Sequence, residues 1–426
     1  MKIILTTAIL LTSTFISHCC YACSMCKITV NGKTIVGNNE DSWRTGSKIW
    51  FEKGEKAKFG AAYVGYQDGF PQGGINEVGL AFDGFAVHPR QLRPMPGKQP
   101  VTDPTQFIKN ILQHCSTVDE VKAMVIQYDR SLFNNSMLLF VDKSGKYLVM
   151  EVDTALTGDD PTYLLTNFCP SKTRPEEVKF TRYLRGQTFL KSHSAQATVD
   201  YGTALMDTMH ECRPKGGNGT LYTSIYNLNT QEITLYFFHD FSRNRTFNLH
   251  DELSRGNHSV DMTSIFPDNK EYGRFLSYRI PANTPALQKT MAAGMLFYLV
   301  AALLFLFVFV KNLLRRVVKP SSANLVYLVV AVTNGVLSYF VFLLLSNTPI
   351  FYLESSYGLG GNPWVNLMVY LPLLLLVGFV PLIIGVIKLV KIRRPAASIV
   401  AALWLNMIIN LGLLAGAGYW HLFDVI

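Results

Sequence analysis

The sequence predicts a layered α+β domain over residues 23–240, followed by a bundle of membrane-crossing helices. Three observations predict it. Strand-like runs come in antiparallel pairs across short turns and helix-like runs come in pairs, which argues for α+β layers and against a doubly wound parallel sheet. Residues 289–426 hold four apolar runs, each long enough to span a bilayer as a helix. Charged residues make up only 16% of the 426, below the roughly 25% of soluble domains, while 49% apolar residues rule out a disordered chain.

The elements follow in chain order. Lys2, an apolar run from Ile3 to Ile16, and small residues at Cys20 and Ala22 read as a secretory signal peptide over 1–22. Cleavage after Ala22 would leave Cys23 at the mature N-terminus. The run is short for an uncleaved anchor, and a lipoprotein signal would want a Leu that is missing before Cys23. Cys23 to Val30 and Lys33 to Val36 read as strands across an Asn31-Gly32 turn. Ile75 to Val87 contains another strand. Pro104 to Cys115 and Val118 to Tyr128 read as helices, the second behind a Thr117…Glu120 capping box. Met137 to Val141 and Tyr147 to Val152 form a hairpin, and Tyr163 to Thr166 is a strand. Glu176 to Leu190 and Tyr201 to Cys212 are helical, and Leu221 to Tyr226 with Glu232 to Phe238 make a final hairpin. Residues 241–288 are polar, with Pro281 and Pro285 near their end, and read as a linker or stalk.

The membrane helices are expected at about 291–310, 322–345, 365–390 and 397–420. From residue 289 onward there are nine Lys/Arg and two acids, whereas residues 23–288 carry 29 basic and 28 acidic residues. The net charge of +9 therefore belongs to membrane topology and leaves no basic patch for nucleic acid. The loops with Lys311, Arg315, Arg316 and Lys319 and with Lys388, Lys391, Arg393 and Arg394 are cytoplasmic by the positive-inside rule. That puts residues 23–288 outside, as the signal peptide also requires. No apolar run has a charge at its centre, so an anchor is favoured over a transporter.

Five cysteines remain after the signal: Cys23, Cys26, Cys115, Cys169 and Cys212. An odd number outside the cytoplasm leaves at least one unpaired, and two disulfides among the other four are open in connectivity. Cys23-x-x-Cys26 has no second pair and no nearby His to support zinc, and it opens a strand where a redox pair would open a helix. Gly32-Lys33-Thr34 lacks the first Gly of a P-loop, and His210-Glu211 lacks the second His of a zincin. No metal or cofactor is expected. Asn134, Asn218, Asn244 and Asn257 head glycosylation sequons.

Cys23 at a freshly exposed N-terminus has a chemical use. Its thiol is a nucleophile, and its own α-amine, with an ordinary pKa of about 7.7–8.0, can take the thiol proton. Further along stand Gly37-Asn38-Asn39-Glu40-Asp41, then Asn76-Glu77-Val78-Gly79-Leu80 leading into Ala81-Phe82-Asp83-Gly84, then Thr166-Asn167-Phe168-Cys169-Pro170. This set resembles the N-terminal-nucleophile (Ntn) hydrolases of the choloylglycine hydrolase and penicillin acyltransferase group, the linear-amide C–N hydrolases. The family pattern is a nucleophilic Cys, G-x-N-x-D some 18–19 residues on, N-E-x-G-L, and T-N-x-P. Asp41 stands 18 residues after Cys23 but only 15 after Cys26. The strand Leu221 to Tyr226 is similar to the group as well.

The resemblance covers roughly residues 23–240 and implies an αββα four-layer sandwich ahead of the four-helix tail. It implies Cys23 as nucleophile, Asp41 positioning the amine, and Asn167 with a backbone N–H near Ala86 as oxyanion hole. Bile-salt hydrolases carry Arg where Asn38 stands and Asn where Ala86 stands, which speaks against bile-salt specificity; acyltransferase relatives carry a polar amide in place of Asn38. A further family Arg is matched by Arg182, with Arg185 and Arg44 as rivals. The expected function is a membrane-anchored, extracytoplasmic cysteine amidase acting on a small or lipid-like N-acyl amide. The alternatives are an acyltransferase using the same site and an inactive sensor or scaffold of the same fold.

Overall fold

The computed structural model describes residues 23–87, 97–213, 216–282, 284–314, 322–346, 348–351, 368 and 370–423. The expected signal peptide lies outside them, as do Arg315, Arg316 and Lys319 of the first basic loop. The described residues fall into two compact units that divide between Gly273 and Arg274.

The strands of the first unit, in chain order, are β1 (Ser24–Val30), β2 (Lys33–Ser42), β3 (Ser47–Glu52), β4 (Ala61–Tyr66), β5 (Pro71–Asn76), β6 (Ala81–Ala86), β7 (Gln99–Pro100) and β8 (Tyr128–Asp129). They continue as β9 (Ser136–Val141), β10 (Tyr147–Met150), β11 (Ala155–Gly158), β12 (Thr162–Leu165), β13 (Gly219–Asn227), β14 (Glu232–Phe237), β15 (Asp240–Asn248) and β16 (His258–Asp261). Six form one sheet in the order β12-β1-β2-β13-β14-β15, and eight form another in the order β11-β10-β9-β6-β5-β4-β3-β16. Every pairing in both is antiparallel, and β7 and β8 make a short parallel pair apart from them.

Helices cover the outer face of each sheet. α1 (Pro104–His114) and α2 (Val118–Val125) lie on the eight-stranded sheet, and the Thr117–Glu120 capping box is formed. Phe107, Ile108, Ile111 and Leu112 make one face of α1 and pack on Phe82, Phe140, Leu148 and Met150. Burying each such side chain contributes roughly 1.5–3 kcal/mol. α3 (Thr181–Ser192) and α4 (Val199–Met209) pair with each other, and α4 lies on β1, β2 and β13. The inner faces of the sheets meet: the Tyr66 hydroxyl of β4 reaches Glu40 of β2. The layers are helices, sheet, sheet, helices, the αββα sandwich expected.

Residues 241–288 differ from the linker expected of them. They carry β15, α5 (Leu249–Ser254), β16, α6 (Met262–Ile265) and α7 (Lys270–Ala282). β15 and β16 are edge strands of the two sheets. An edge strand facing water is rich in charged and polar residues, so its sequence does not alternate as a half-buried strand does. Polarity alone therefore reads as loop. β3, β4 and β5, also unassigned from sequence, are almost wholly buried and show no alternation either.

None of the five cysteines forms a disulfide. Cys26 sits in β1 against Gly37, and Cys115 caps α1 in the core of the other sheet, so two sheets separate them.

The second unit contains α8 (Pro285–Leu314), α9 (Ser322–Ser346), α10 (Leu371–Arg393) and α11 (Ala397–Tyr419), four helices long and apolar enough to cross a membrane. The start of the third expected run, 365–370, falls almost wholly outside the described residues. Asn334 of α9 and Asn406 of α11 are fully buried and joined by a 2.5 Å hydrogen bond from Asn406 Nδ2 to Asn334 Oδ1. Such amide pairs hold helices together where no water competes.

Candidate active site

The site forms where β1 and β2 begin and end their pairing. The register sets Ser24 opposite Asn39 and Cys26 opposite Gly37, so Glu40 falls opposite Cys23 and Asp41 one step beyond. Alternation along β2 then sends its side chains to two different layers. Asn39 turns to the helices: its Nδ2 donates to Met206 O of α4 at 2.8 Å and its Oδ1 accepts from Thr223 Oγ1 at 2.6 Å. Gly37 lies on the same face, where a Cβ would stand 2.7 Å from Met206 Cγ. Asp41 shares it too, accepting from Thr220 Oγ1 at 2.5 Å. Asn38 and Glu40 face the other sheet.

Cys23 is 2% exposed, and its Sγ donates to Glu40 Oε2 at 3.2 Å. Glu40 Oε1 accepts from Tyr66 OH at 2.5 Å. Asp83 on β6 is fully buried and acts electrostatically on both Cys23 and Glu40. Burial, and then the charges of Glu40, Asp83 and Asp41, hold the Cys23 thiol well above its ordinary pKa. Burial pushes Glu40 up to about 7, although the hydrogen bonds from Tyr66 and Cys23 pull it down. Burial pushes Asp41 up to about 8 against the charges of Arg182 and Arg213 and the Thr220 hydrogen bond. Asp83 also titrates well above the usual carboxylate range, from burial and then from Glu40.

Arg182 of α3 is the expected arginine that reaches this cluster. It is buried, its Nη2 donates to Asn167 Oδ1 at 2.6 Å, and its charge acts on Asp41 and Cys23. Of its rivals, Arg44 also touches the site, its guanidinium 4.5 Å from the centre of the Tyr66 ring and its charge acting on Glu40. Arg44 pairs with Asp68 at 2.6 Å on the surface, and Arg185 donates to His210 O at 2.7 Å. Asn167 and Ala86 do come together, but the Asn167 Nδ2 that an oxyanion would need donates to the Ala86 carbonyl at 2.8 Å.

Several buried polar atoms have no hydrogen-bond partner among the described residues: Asp41 Oδ2, both amide atoms of Asn38, both Asp83 oxygens, and the hydroxyls of Tyr222, Ser224 and Tyr226. Buried polar groups demand partners, so this concentration of orphans between the sheets is the most polar part of the interior around Cys23. Glu40, Tyr66, Asp83, Thr220 and Arg213 were not assigned from sequence. Glu40 and Asp83 lie inside the quoted motifs; Tyr66, Thr220 and Arg213 carry no local signal.

The N-E-x-G-L motif turns out to be structural. Asn76 Nδ2 donates to Leu112 O and Cys115 O, each at 2.8 Å, and its Oδ1 accepts from Leu80 N at 2.8 Å. It ties the β5–β6 turn to the C-terminal end of α1. Gly79 has φ 87°, and a Cβ there would lie 2.3 Å from Leu228 O, so only glycine fits.

No family profile and no curated protein matches the sequence. Among solved structures the chain is similar to conjugated bile acid hydrolase from Clostridium perfringens, in an arginine-to-leucine variant and a cysteine-to-alanine mutant. Each is 16% identical, with 58% of this chain and 97% of the other covered and a TM-score of 0.45. It is also similar to penicillin V acylase from Agrobacterium tumefaciens, at 11% identity, 56% and 90% coverage and a TM-score of 0.43.

Proposed function

We propose that the chain is a membrane-anchored cysteine amidase that cleaves a linear C–N bond of an N-acyl substrate, with its catalytic domain on the extracytoplasmic side. One observation carries the reading: Asp41, one register step beyond the Cys23–Glu40 contact, has a buried carboxylate oxygen with no partner among the described residues. Removal of residues 1–22 would release an α-amine at Cys23, and a buried carboxylate beside it is what an ammonium needs. Once the neutral amine has taken the thiol proton, its positive charge would also offset the three carboxylates around the sulfur.

The chemistry then runs in two halves. The Cys23 Sγ–H proton passes to the α-amine as sulfur bonds to the amide carbonyl carbon. The carbonyl oxygen, now an anion, takes the Asn167 amide in place of the Ala86 carbonyl. The stored proton goes to the leaving nitrogen, the C–N bond breaks, and an acyl thioester remains. Water attacks it by the same route and restores the thiol. An amine attacking in place of water would make the enzyme an acyltransferase. The orphaned hydroxyls and amide of Asn38, Tyr222, Ser224 and Tyr226 suit a polar portion of the substrate. The apolar helices favour a lipid-like acyl chain arriving from the bilayer.

The test is the mass of the mature N-terminal peptide, with and without iodoacetamide, together with turnover of a panel of N-acyl amides. A chain that begins at Cys23, is labelled there, and loses about 10³-fold or more of its amidase activity on Cys23→Ala is expected. A chain that retains residues 1–22, or is acylated on the Cys23 amine, has no free base and would leave the inactive sensor as the reading. Asp41→Asn is expected to lower kcat by about 10²-fold.

A further inference from the structure

A second cluster of ligating side chains shares no residue with the Cys23 site. Cys212 follows α4, His239 stands in the β14–β15 turn, and Glu271 begins α7. Residues from three segments 27 and 32 positions apart in sequence thus present one thiol sulfur, one imidazole nitrogen and one carboxylate oxygen within 4.8 Å of one another. Donors around a tetrahedral zinc, with Zn–S near 2.3 Å and Zn–N or Zn–O near 2.0–2.1 Å, stand roughly 3.3–3.8 Å apart. His239 Nδ1 and Glu271 Oε2 are already 3.4 Å apart, long for a hydrogen bond but right for two ligands of one ion.

The histidine adds an independent observation. Its side chain is 5% exposed, with Nδ1 turned toward Glu271, so little water competes for that nitrogen. Phe238 and His239 both adopt left-handed backbone, φ 49° and 64°, in a hairpin turn where Asn-Gly would cost least. The His210 ring stacks on His239 with centroids 5.9 Å apart.

We infer that Cys212, His239 and Glu271 bind a zinc ion that clamps the start of α7 to the loop after α4 and to the β14–β15 turn. The donor set is soft sulfur, imidazole and carboxylate, which selects zinc over magnesium or calcium. Cys212 binds as thiolate and gives its proton to solvent, so binding strengthens as pH rises. The role is structural: the ion replaces core where a short helix meets a turn, at the last residues before the division at Gly273 and Arg274.

The experiment uses the full chain purified in detergent. Wild type is expected to retain about one zinc per chain after gel filtration, and cobalt is expected to give a thiolate charge-transfer band. Cys212→Ser and Glu271→Gln should each weaken zinc binding by about 100-fold or more, while Cys169→Ser should retain it. Should a variant fail to fold, wild type still decides: zinc is expected to slow alkylation of Cys212 at least about tenfold, and EDTA to restore it. Equal zinc retention by Cys212→Ser, no retention by wild type, or alkylation of Cys212 indifferent to zinc would each overturn the inference. Metal content and alkylation are read without substrate, so the result is independent of whether Cys23 is catalytic.

Discussion

At the scale of single residues, the contact between Cys23 and Glu40 has consequences that are measurable before any substrate is known. Glu40 is the strongest charge acting on the thiol after burial itself. Replacing it by Gln removes a negative charge and an acceptor, so the thiol pKa of Glu40→Gln should fall. Alkylation of Cys23 at fixed pH should then quicken by about tenfold, read from the rate against pH; an unchanged profile would mean that the charge is screened. Glu40 and Asp41 also set a stability trend. Both titrate higher in the folded chain, at about 7 and about 8, than their ordinary values near 4.5 and 3.8. The folded state therefore holds more protons across that window, and stability falls as pH rises from about 4 to about 8. The melting temperature of the wild type should drop over that range, and Glu40→Gln should drop less.

At the scale of elements, β2 shows how one strand serves two layers. Its odd positions, Gly37, Asn39 and Asp41, fasten α4 and Thr220, while Asn38 and Glu40 face the other sheet. The β5–β6 turn serves packing alone. Asn76→Ala would leave two carbonyls and an N–H buried without their partner and should cost at least about 2 kcal/mol in denaturant unfolding. Gly79→Ala should cost about 2 kcal/mol or more, since a Cβ meets backbone and the residue must keep a positive φ. Wild-type stability in either variant would mean that the turn relaxes freely. Elements whose sequences carry a period or a cap were legible in advance: β1, α1, α2 behind Thr117, and the hairpin of β13 and β14. β15 and β16, polar because they face water, were not.

At the scale of the whole molecule, the chain joins a sandwich with an antiparallel core to four apolar helices. The topology proposed for it makes a direct prediction. In intact cells, a membrane-impermeant maleimide should label Ser254→Cys above the background of the unsubstituted protein, and Lys391→Cys only after permeabilisation. Labelling of both positions, or of Lys391→Cys alone, would reverse the orientation and with it the extracytoplasmic amidase. The buried Asn334–Asn406 pair argues that the helices form a specific bundle.

Hydropathy, charge placement and the order of short motifs were enough to read a layered α+β domain and four membrane-length helices, and a resemblance pointed to Cys23, Asp41 and Asn167, with Arg182 one of three candidate arginines. Those signals are local in the chain, because apolar runs, turns and caps act over a few residues. What meets across the fold was not legible: that Glu40 and not Asp41 bonds the thiol, that Tyr66 and Asp83 stand around them, that Asn76 is a staple, and that Cys212, His239 and Glu271 converge. Strand register and the packing of elements distant in sequence decide those meetings, and a shift of one residue in register would send Glu40, Tyr66 and Asp83 to the opposite layer.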